Sequence, residues 1–241
     1  MSMAILRSMQ EIRDARDWLR QKGVSCEPGL LSSLLLRLGI PTARALGGWL
    51  KSWDVAKTAE FLSENIDRNE PILDIGAYQS EVLCVLSRMG FTRLHGIDLD
   101  PRVGEAASKG MFRAHVGDFY RSHFADASFA AITAISTIEH GYRQVELCQE
   151  VSRILRPGGV FVASFDYWPD KVDTSGIRLF DLDWRVFSRE EVGSLIEMAA
   201  HFDLLPIAEI ALEAERRVIS WVGKSYTFAW IALRRKQLQS L

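Results

Sequence analysis

Three apolar runs of this chain end on an aspartate: Asp74 after Ile72-Leu73, Asp98 after Ile97, and Asp118 after Val116-Gly117. Gly76 breaks the chain just beyond Asp74, and a new amphipathic pattern starts at Ser80-Glu81. Apolar strand, sharp turn and helix start form the front half of a βαβ unit. The stretch ILDIGAYQSE therefore lies beyond the carboxyl end of a strand, where open parallel sheets bind their ligands. Glu139-His140 follows a fourth apolar run, and an imidazole there can take a proton from a hydroxyl or an amine. Beyond a fifth run come Asp166-Tyr167-Trp168-Pro169-Asp170 and then Phe180-Asp181-Leu182-Asp183-Trp184. A connection this long is of the kind that binds ligands. Trp168, Phe180 and Trp184 can wall a sugar or an aromatic ring, while Asp166, Asp181 and Asp183 can bind hydroxyls or amines. A surface loop pinned by aromatics accounts equally well for any one of them.

Short strands alternating with helices must position these groups. A helix over residues 54–66, capped by Asp54, precedes the organising strand. A helix with Val82, Leu83, Val85, Leu86 and Met89 follows it and closes at Gly90. Next come a strand over 94–98, a short helix from Pro101 to Gly110, and strands over 114–118 and 129–138. A helix over 143–155 then leads through Pro157-Gly158-Gly159, a helix stop and tight turn, into a strand over 160–165. The alternation predicts a parallel sheet covered on both faces. Ser188 with Glu191 forms a capping box for a helix to about His201. The tail changes character: residues 207–212 and 226–233 read as an antiparallel pair of strands. His95 and His115 lie in strands and are expected to be satisfied by neighbours. Gly96 is expected to permit close packing, and Asp100 to cap the helix after the second strand.

Residues 1–53 are set apart as an N-terminal helical extension, with 54–241 as the main domain. Helices are expected over 4–22, with Ile5, Met9, Ile12, Ala15 and Leu19 on one face, and over 28–39 from Pro28 to Gly39. A less regular apolar patch runs from Thr42 to Trp53. These segments are too apolar to stand alone, so they pack on the main domain, cover the ligand, or join a second copy into a homo-oligomer. Composition sets outer bounds. With 241 residues, 48% apolar and 25% charged, the chain can bury a substantial core. A net charge of −2 with acids and bases mixed leaves no basic face for nucleic acid. No apolar run is long enough to span a membrane, and the charged N-terminus is unlike a signal peptide. Cys26, Cys84 and Cys148 show neither a disulfide framework nor a zinc spacing. They read as buried free thiols of a cytoplasmic protein.

Taken in order, ILDIGAYQSE, LHGIDLDP, VGDF, AISTIEH and RILRPGGVFVASF resemble the class I S-adenosylmethionine-dependent methyltransferases. The resemblance is close over residues 54–165, and the paired tail strands match that fold's terminal hairpin. It implies an α/β fold: a Rossmann-like, doubly wound, mostly parallel sheet with a C-terminal antiparallel hairpin, preceded here by the N-terminal extension. It also implies S-adenosylmethionine as cofactor, no metal, and a loop of Asp74, Gly76, Ala77 and Tyr78 around the methionine end. Gly76 would let the backbone approach the ligand without a Cβ in the way. Asp98 would accept hydrogen bonds from the ribose hydroxyls, beside Leu99. Gly117, Asp118 and Phe119 would meet the adenine, and Ser136 would face the methionine portion. Where the family loop carries three glycines, this chain has Gly76, Tyr78 and Ser80.

The implied reaction is an in-line methyl transfer to an oxygen or nitrogen of a small-molecule acceptor, catalysed mainly by alignment. His140 or Glu139 is the candidate base, and Asp166, Tyr167, Trp168 and Trp184 are candidate acceptor contacts. The loop and ISTIEH also resemble methyltransferase-like proteins of glycan or natural-product pathways, which implies a sugar-like or secondary-metabolite acceptor. Two other classes stay open. One is a non-catalytic methyltransferase-like binding protein with a degenerate loop. The other is a nicotinamide oxidoreductase, disfavoured because the loop lacks G-x-G-x-x-G and Glu81 would repel a phosphate.

Overall fold

A computed structural model describes residues 3–27, 48–107 and 110–237. Among the described residues its principal sheet has nine strands: β1 (Met3–Ile5), β11 (Lys224–Arg235) and then a parallel core, with two short strands, β9 (Leu204–Pro206) and β10 (Ile219–Trp221), also on β11, while β7 (Arg178–Leu179) and β8 (Leu182–Asp183) pair apart from it. The parallel core comprises β2 (Pro71–Ile75), β3 (Arg93–Asp98), β4 (Arg113–Val116), β5 (Phe129–Ile135) and β6 (Leu155–Tyr167), in the order β6-β5-β2-β3-β4 from the β11 side. Every residue of β2 is buried, as expected of a strand covered on both faces. Alternate residues feed opposite layers: Ile72 packs with Val82, Leu83 and Val85, and Leu73 with Ile132, Val151 and Phe161. The layers are built from α2 (Ser52–Asn65), α3 (Val82–Arg88) and α4 (Val103–Ala107), then α5 (Gln144–Ile154) and α6 (Arg189–His201). The capping box at Ser188 and Glu191 opens α6 as the sequence predicts. Gly96 also behaves as expected, since a Cβ there would lie 2.6 Å from that of Ala77. No described helix is long and apolar enough to cross a membrane.

The tail differs from the expected hairpin. β11 (Lys224–Arg235) runs antiparallel to β6 over eight paired positions, as the resemblance implies. Residues 207–212, however, are not a strand; the partners of β11 are β9 (Leu204–Pro206) and β10 (Ile219–Trp221). The charged run after Pro206 leaves the sheet edge, and a segment from the far end of the chain fills it. That segment is β1 (Met3–Ile5), paired with Ile231, Trp230 and Ala229. The N-terminal helix therefore begins late. α1 spans Met9–Gln21, capped by the Ser8 side chain, and Ile5 belongs to the sheet. Its buried Ile12 and Leu19 join the core shared with Val55 and Ala59 of α2. The helix expected over residues 28–39 lies outside the described residues.

The thiol reading is overturned. Cys26 and Cys84 form a disulfide, and only Cys148 is a buried free thiol. The bond joins the segment after α1 to α3, so the argument from free thiols to a reducing compartment lapses. A second tie runs beside it. Arg16 of α1 donates to both oxygens of Glu81, at 2.8 Å each, with both side chains buried. Glu81 also accepts the backbone N–H of Cys26 at 2.9 Å. The N-terminal segment is thus fastened to the helix that follows the Gly76 loop.

Candidate active site

The strand tips build one half of the site. Gly76 takes φ +75°, and a Cβ on it would lie 2.4 Å from Thr137 Oγ1. Thr137 fills the space a Cβ would need, a packing reason for glycine here that the sequence did not reveal. Thr137 is held by the carbonyls of Ile75 and Ile135. Gly76 and Ala77 donate to the Ile97 carbonyl at 3.0 and 3.3 Å, tying the loop to β3. Asp98, at the tip of β3, accepts from Tyr78 N through Oδ2 and from Asp100 N through Oδ1, both at 2.9 Å. Asp100 in turn accepts from Arg102 N, closing the turn that precedes α4 rather than capping the helix itself. Tyr78 is half-buried, with the Arg102 guanidinium 4.6 Å over its ring. Leu99 is exposed beside it.

Asp74 is fully buried, accepts Thr133 Oγ1 at 2.5 Å, and keeps Oδ2 without a partner among the described residues. Burial pushes its carboxyl up to about 7, opposed by hydroxyl contacts from Ser80 and Thr133. Asp118 caps the turn Phe119–Arg121 by accepting Tyr120 N, and its Oδ2 pairs with Arg143 at 2.6 Å. Phe119 is buried against the sheet, whereas Gly117 has open space where a Cβ would stand. The negative charge expected from Glu81 at this loop is neutralised by Arg16. His95 and His115 satisfy each other, with ring nitrogens 3.1 Å apart, as expected of structural histidines.

The other half lies at the ends of β5 and β6. β5 stops at Ile135 because Ser136 turns the chain with φ +50°. Ser136 accepts Lys51 Nζ at 2.5 Å and donates to Asp54 Oδ2 at 3.3 Å. Ser164 donates to the same oxygen at 2.9 Å. Asp54 is therefore not a helix cap: it lies inside α2, fully buried, with Oδ1 unpartnered among the described residues. Burial pushes it up to about 6 against the pull of Lys51 and the two serines. Lys51, in the turn Trp49–Lys51, also sits 3.7 Å over the Phe228 ring.

Glu139 and Asp166 close this cluster, 1% and 2% exposed. Asp166 Oδ2 accepts Trp184 Nε1 at 2.8 Å, while Asp166 Oδ1 and Glu139 Oε2 have no described partner. The Tyr226 hydroxyl lies against Asp166 and helps hold its carboxyl down. Burial raises both carboxyls; the charge of Asp166 raises Glu139 further, while Lys51, Trp184 and Tyr226 pull Asp166 back down. His140 is pushed down to about 4, by burial first and Lys51 second, so its ring is neutral near pH 7, with Nδ1 unpartnered among the described residues. Of the acceptor contacts expected after β6, Trp184 joins the cluster and Trp168 stands half-buried under Arg217, 4.4 Å from its ring. Tyr167 does not join: it is fully buried in the opposite layer and donates to the Leu212 carbonyl. Successive strand residues point to opposite faces, so Asp166 and Tyr167 cannot both face the site. Phe180, Asp181 and Asp183 are exposed. Sequence reasoning missed Lys51, Ser164 and Tyr226, which with Asp54 come from three separated parts of the chain, and it gave Asp54 only the role of a helix cap.

Residues 73–163 match the family model described as "Methyltransferase domain". The fold resembles geranyl diphosphate C-methyltransferase from Streptomyces coelicolor A3(2), solved with Mg2+, geranyl diphosphate and S-adenosyl-L-homocysteine. That likeness has a TM-score of 0.59 at 16% identity, over 95% of this chain and 99% of that one. A SAM-dependent methyltransferase from Methanosarcina mazei gives 0.56 at 15% identity, over 74% and 98%. The [4+2]-cyclase SpnF gives 0.60 at 13% identity, over 98% and 99%. No curated protein sequence matches the chain.

Proposed function

We propose that this chain, an S-adenosylmethionine-dependent methyltransferase of the class I fold, methylates an oxygen or nitrogen of a small-molecule acceptor, sugar-like or a secondary metabolite. The observation that carries the choice of acceptor atom is the proton-accepting cluster at the ends of β5 and β6. A hydroxyl or amine acceptor must shed a proton, and the ionised forms of Glu139 and Asp166 and the neutral ring of His140 support this reading as the groups that take it. Three buried acids with one lysine also disfavour an acceptor that carries a diphosphate.

The residues at the strand tips fit the cofactor. Asp98 uses one lone pair of each oxygen on backbone N–H groups and keeps others for two ribose hydroxyls. Asp74 offers a buried, unpartnered oxygen, which suits the cationic amino-acid end. Asp118, fixed by Arg143 and about a third exposed, would receive the adenine amino group, with Phe119 and Gly117 beside it. The bound cofactor supplies a methyl carbon on a sulfonium, already a good leaving group. What the chain adds is alignment and a dry, acid-lined surface.

Calorimetry with S-adenosylhomocysteine tests this reading. The wild type should bind, and Asp98→Ala should weaken binding by about ten- to a hundredfold, from loss of hydrogen bonds to a charged acceptor. Unchanged affinity in the variant refutes the ribose role. No binding by the folded wild type points instead to a methyltransferase-like protein whose altered loop, Tyr78 and Ser80, has lost the cofactor.

A further inference from the structure

We infer that the cluster formed by Asp54, Glu139 and Asp166 receives a primary ammonium group on the acceptor, so that the substrate is an amine-bearing small molecule. The inference rests on the methyltransferase reading above and names its substrate class. Its first support is unbalanced charge. Three buried carboxyls face one cation, Lys51, and no carboxylate oxygen among the described residues forms an ion pair with it. Lys51 Nζ is engaged instead by Ser136 and by the face of Phe228.

The second support is hydrogen bonding. Asp54 Oδ1, Glu139 Oε2 and Asp166 Oδ1 are each buried and without a partner among the described residues. Buried polar atoms of native proteins are almost always paired, so three orphan acceptors in one cluster mark missing donors. They belong to α2, the turn after β5, and β6, so no single loop movement pairs all three. A primary ammonium carries three N–H donors and one positive charge. It supplies what the cluster lacks on both counts.

The third support is the wall. Trp184 and Tyr226 stack edge to face with centroids 5.8 Å apart, and Phe228 continues the surface 6.2 Å from Tyr226. Aromatic faces beside carboxylates recognise ammonium groups, and one ring of this wall already holds the lysine. A hydroxyl in the same place would donate one hydrogen bond and leave two acceptors bare. Without a cation the cluster must hold protons, in keeping with the raised carboxyls of Glu139 and Asp166. Where this nitrogen is the one methylated, a carboxylate of the cluster first takes one ammonium proton, freeing the lone pair that attacks the methyl carbon as its bond to sulfur breaks.

The test uses the full chain saturated with S-adenosylhomocysteine and two matched probe pairs: glucosamine against glucose, and cadaverine against 1,5-pentanediol. Calorimetry should show at least one amine binding tenfold or more tightly than its hydroxyl counterpart. Glu139→Gln and Asp166→Asn should each cut that preference about tenfold while leaving S-adenosylhomocysteine affinity unchanged. Hydroxyl probes binding as well as amines, binding of no amine, or a preference untouched by both substitutions each overturns the inference. These outcomes leave the methyltransferase reading in place if S-adenosylhomocysteine still binds. Loss of cofactor binding in the wild type sinks that reading instead, and the inference with it. The wild-type comparison decides the matter even if a variant fails to fold.

Discussion

Replacing Arg16 with leucine should unfasten the N-terminal segment from the loop helix. In the native chain the guanidinium makes two hydrogen bonds of 2.8 Å to Glu81, one of 2.8 Å to Ser52 Oγ and one of 3.2 Å to Ser25 Oγ. Glu81 is 1% exposed, and without Arg16 its remaining donor among the described residues is Cys26 N at 2.9 Å. A buried carboxylate stripped of its partner costs about 3–5 kcal/mol, mostly the desolvation of the charge left behind. That is a large share of the roughly 5–15 kcal/mol that holds a domain folded. Substituting both partners by leucine removes the charge as well as its partner. The double variant should therefore lie well above the sum of the single losses, by about 2 kcal/mol or more. Urea unfolding followed by tryptophan fluorescence, with the Cys26–Cys84 bond intact, reads the midpoint and slope for each variant. Buried Trp53, Trp184 and Trp230 report the transition. A single-variant loss below about 1 kcal/mol, or strict additivity in the double variant, refutes the view that this pair is a desolvated, coupled tie.

Other expectations follow from the same geometry. Reducing the Cys26–Cys84 bond, which spans 58 residues, should lower stability by about 4 kcal/mol if the entropy of the unfolded chain dominates. An unchanged urea midpoint in reductant would show that the two sulfurs are not joined in solution. Gly76→Ala should cost about 2 kcal/mol or more, since its Cβ would meet Thr137 at a positive φ; Thr137→Ala in the same chain should recover part of that loss, and no recovery in thermal melts would count against the steric account. Stability should also depend on pH through Asp74. Its carboxyl titrates near 7 when folded but at about 4 when unfolded. The folded state therefore holds the extra proton between those values, and this contribution, fully present below about pH 4, is lost as pH rises toward 7. Asp74→Asn should flatten that fall in urea midpoints, and an identical slope in the variant would rule out Asp74 as its source.

Much of the frame could be read from local pattern. The strand ending at Asp74, the strand ending at Asp98 and the capping box at Ser188 depend on neighbours a few residues away, and hydrophobic period and capping chemistry specify them. The parallel core followed, because fully apolar strands separated by helices have few other ways to bury themselves. What local pattern could not reach was pairing at a distance. β1 lies beside β11 across more than two hundred residues, Cys26 meets Cys84, and Arg16 meets Glu81. Asp54 looked like a helix cap because capping is the commonest local use of an aspartate there. Only the packing of α2 on the ends of β5 and β6 turned it inward to Ser136 and Ser164. Tyr167 fell to the opposite layer by the two-residue period of its strand, a matter of register set by β5 and β11 rather than by its own chemistry. The sequence by itself determined which segments become strands and helices and where the first carboxylates stand. The tertiary structure alone decided which charges share a buried space, because burial and the loss of solvent screening arise only when distant segments close over one another.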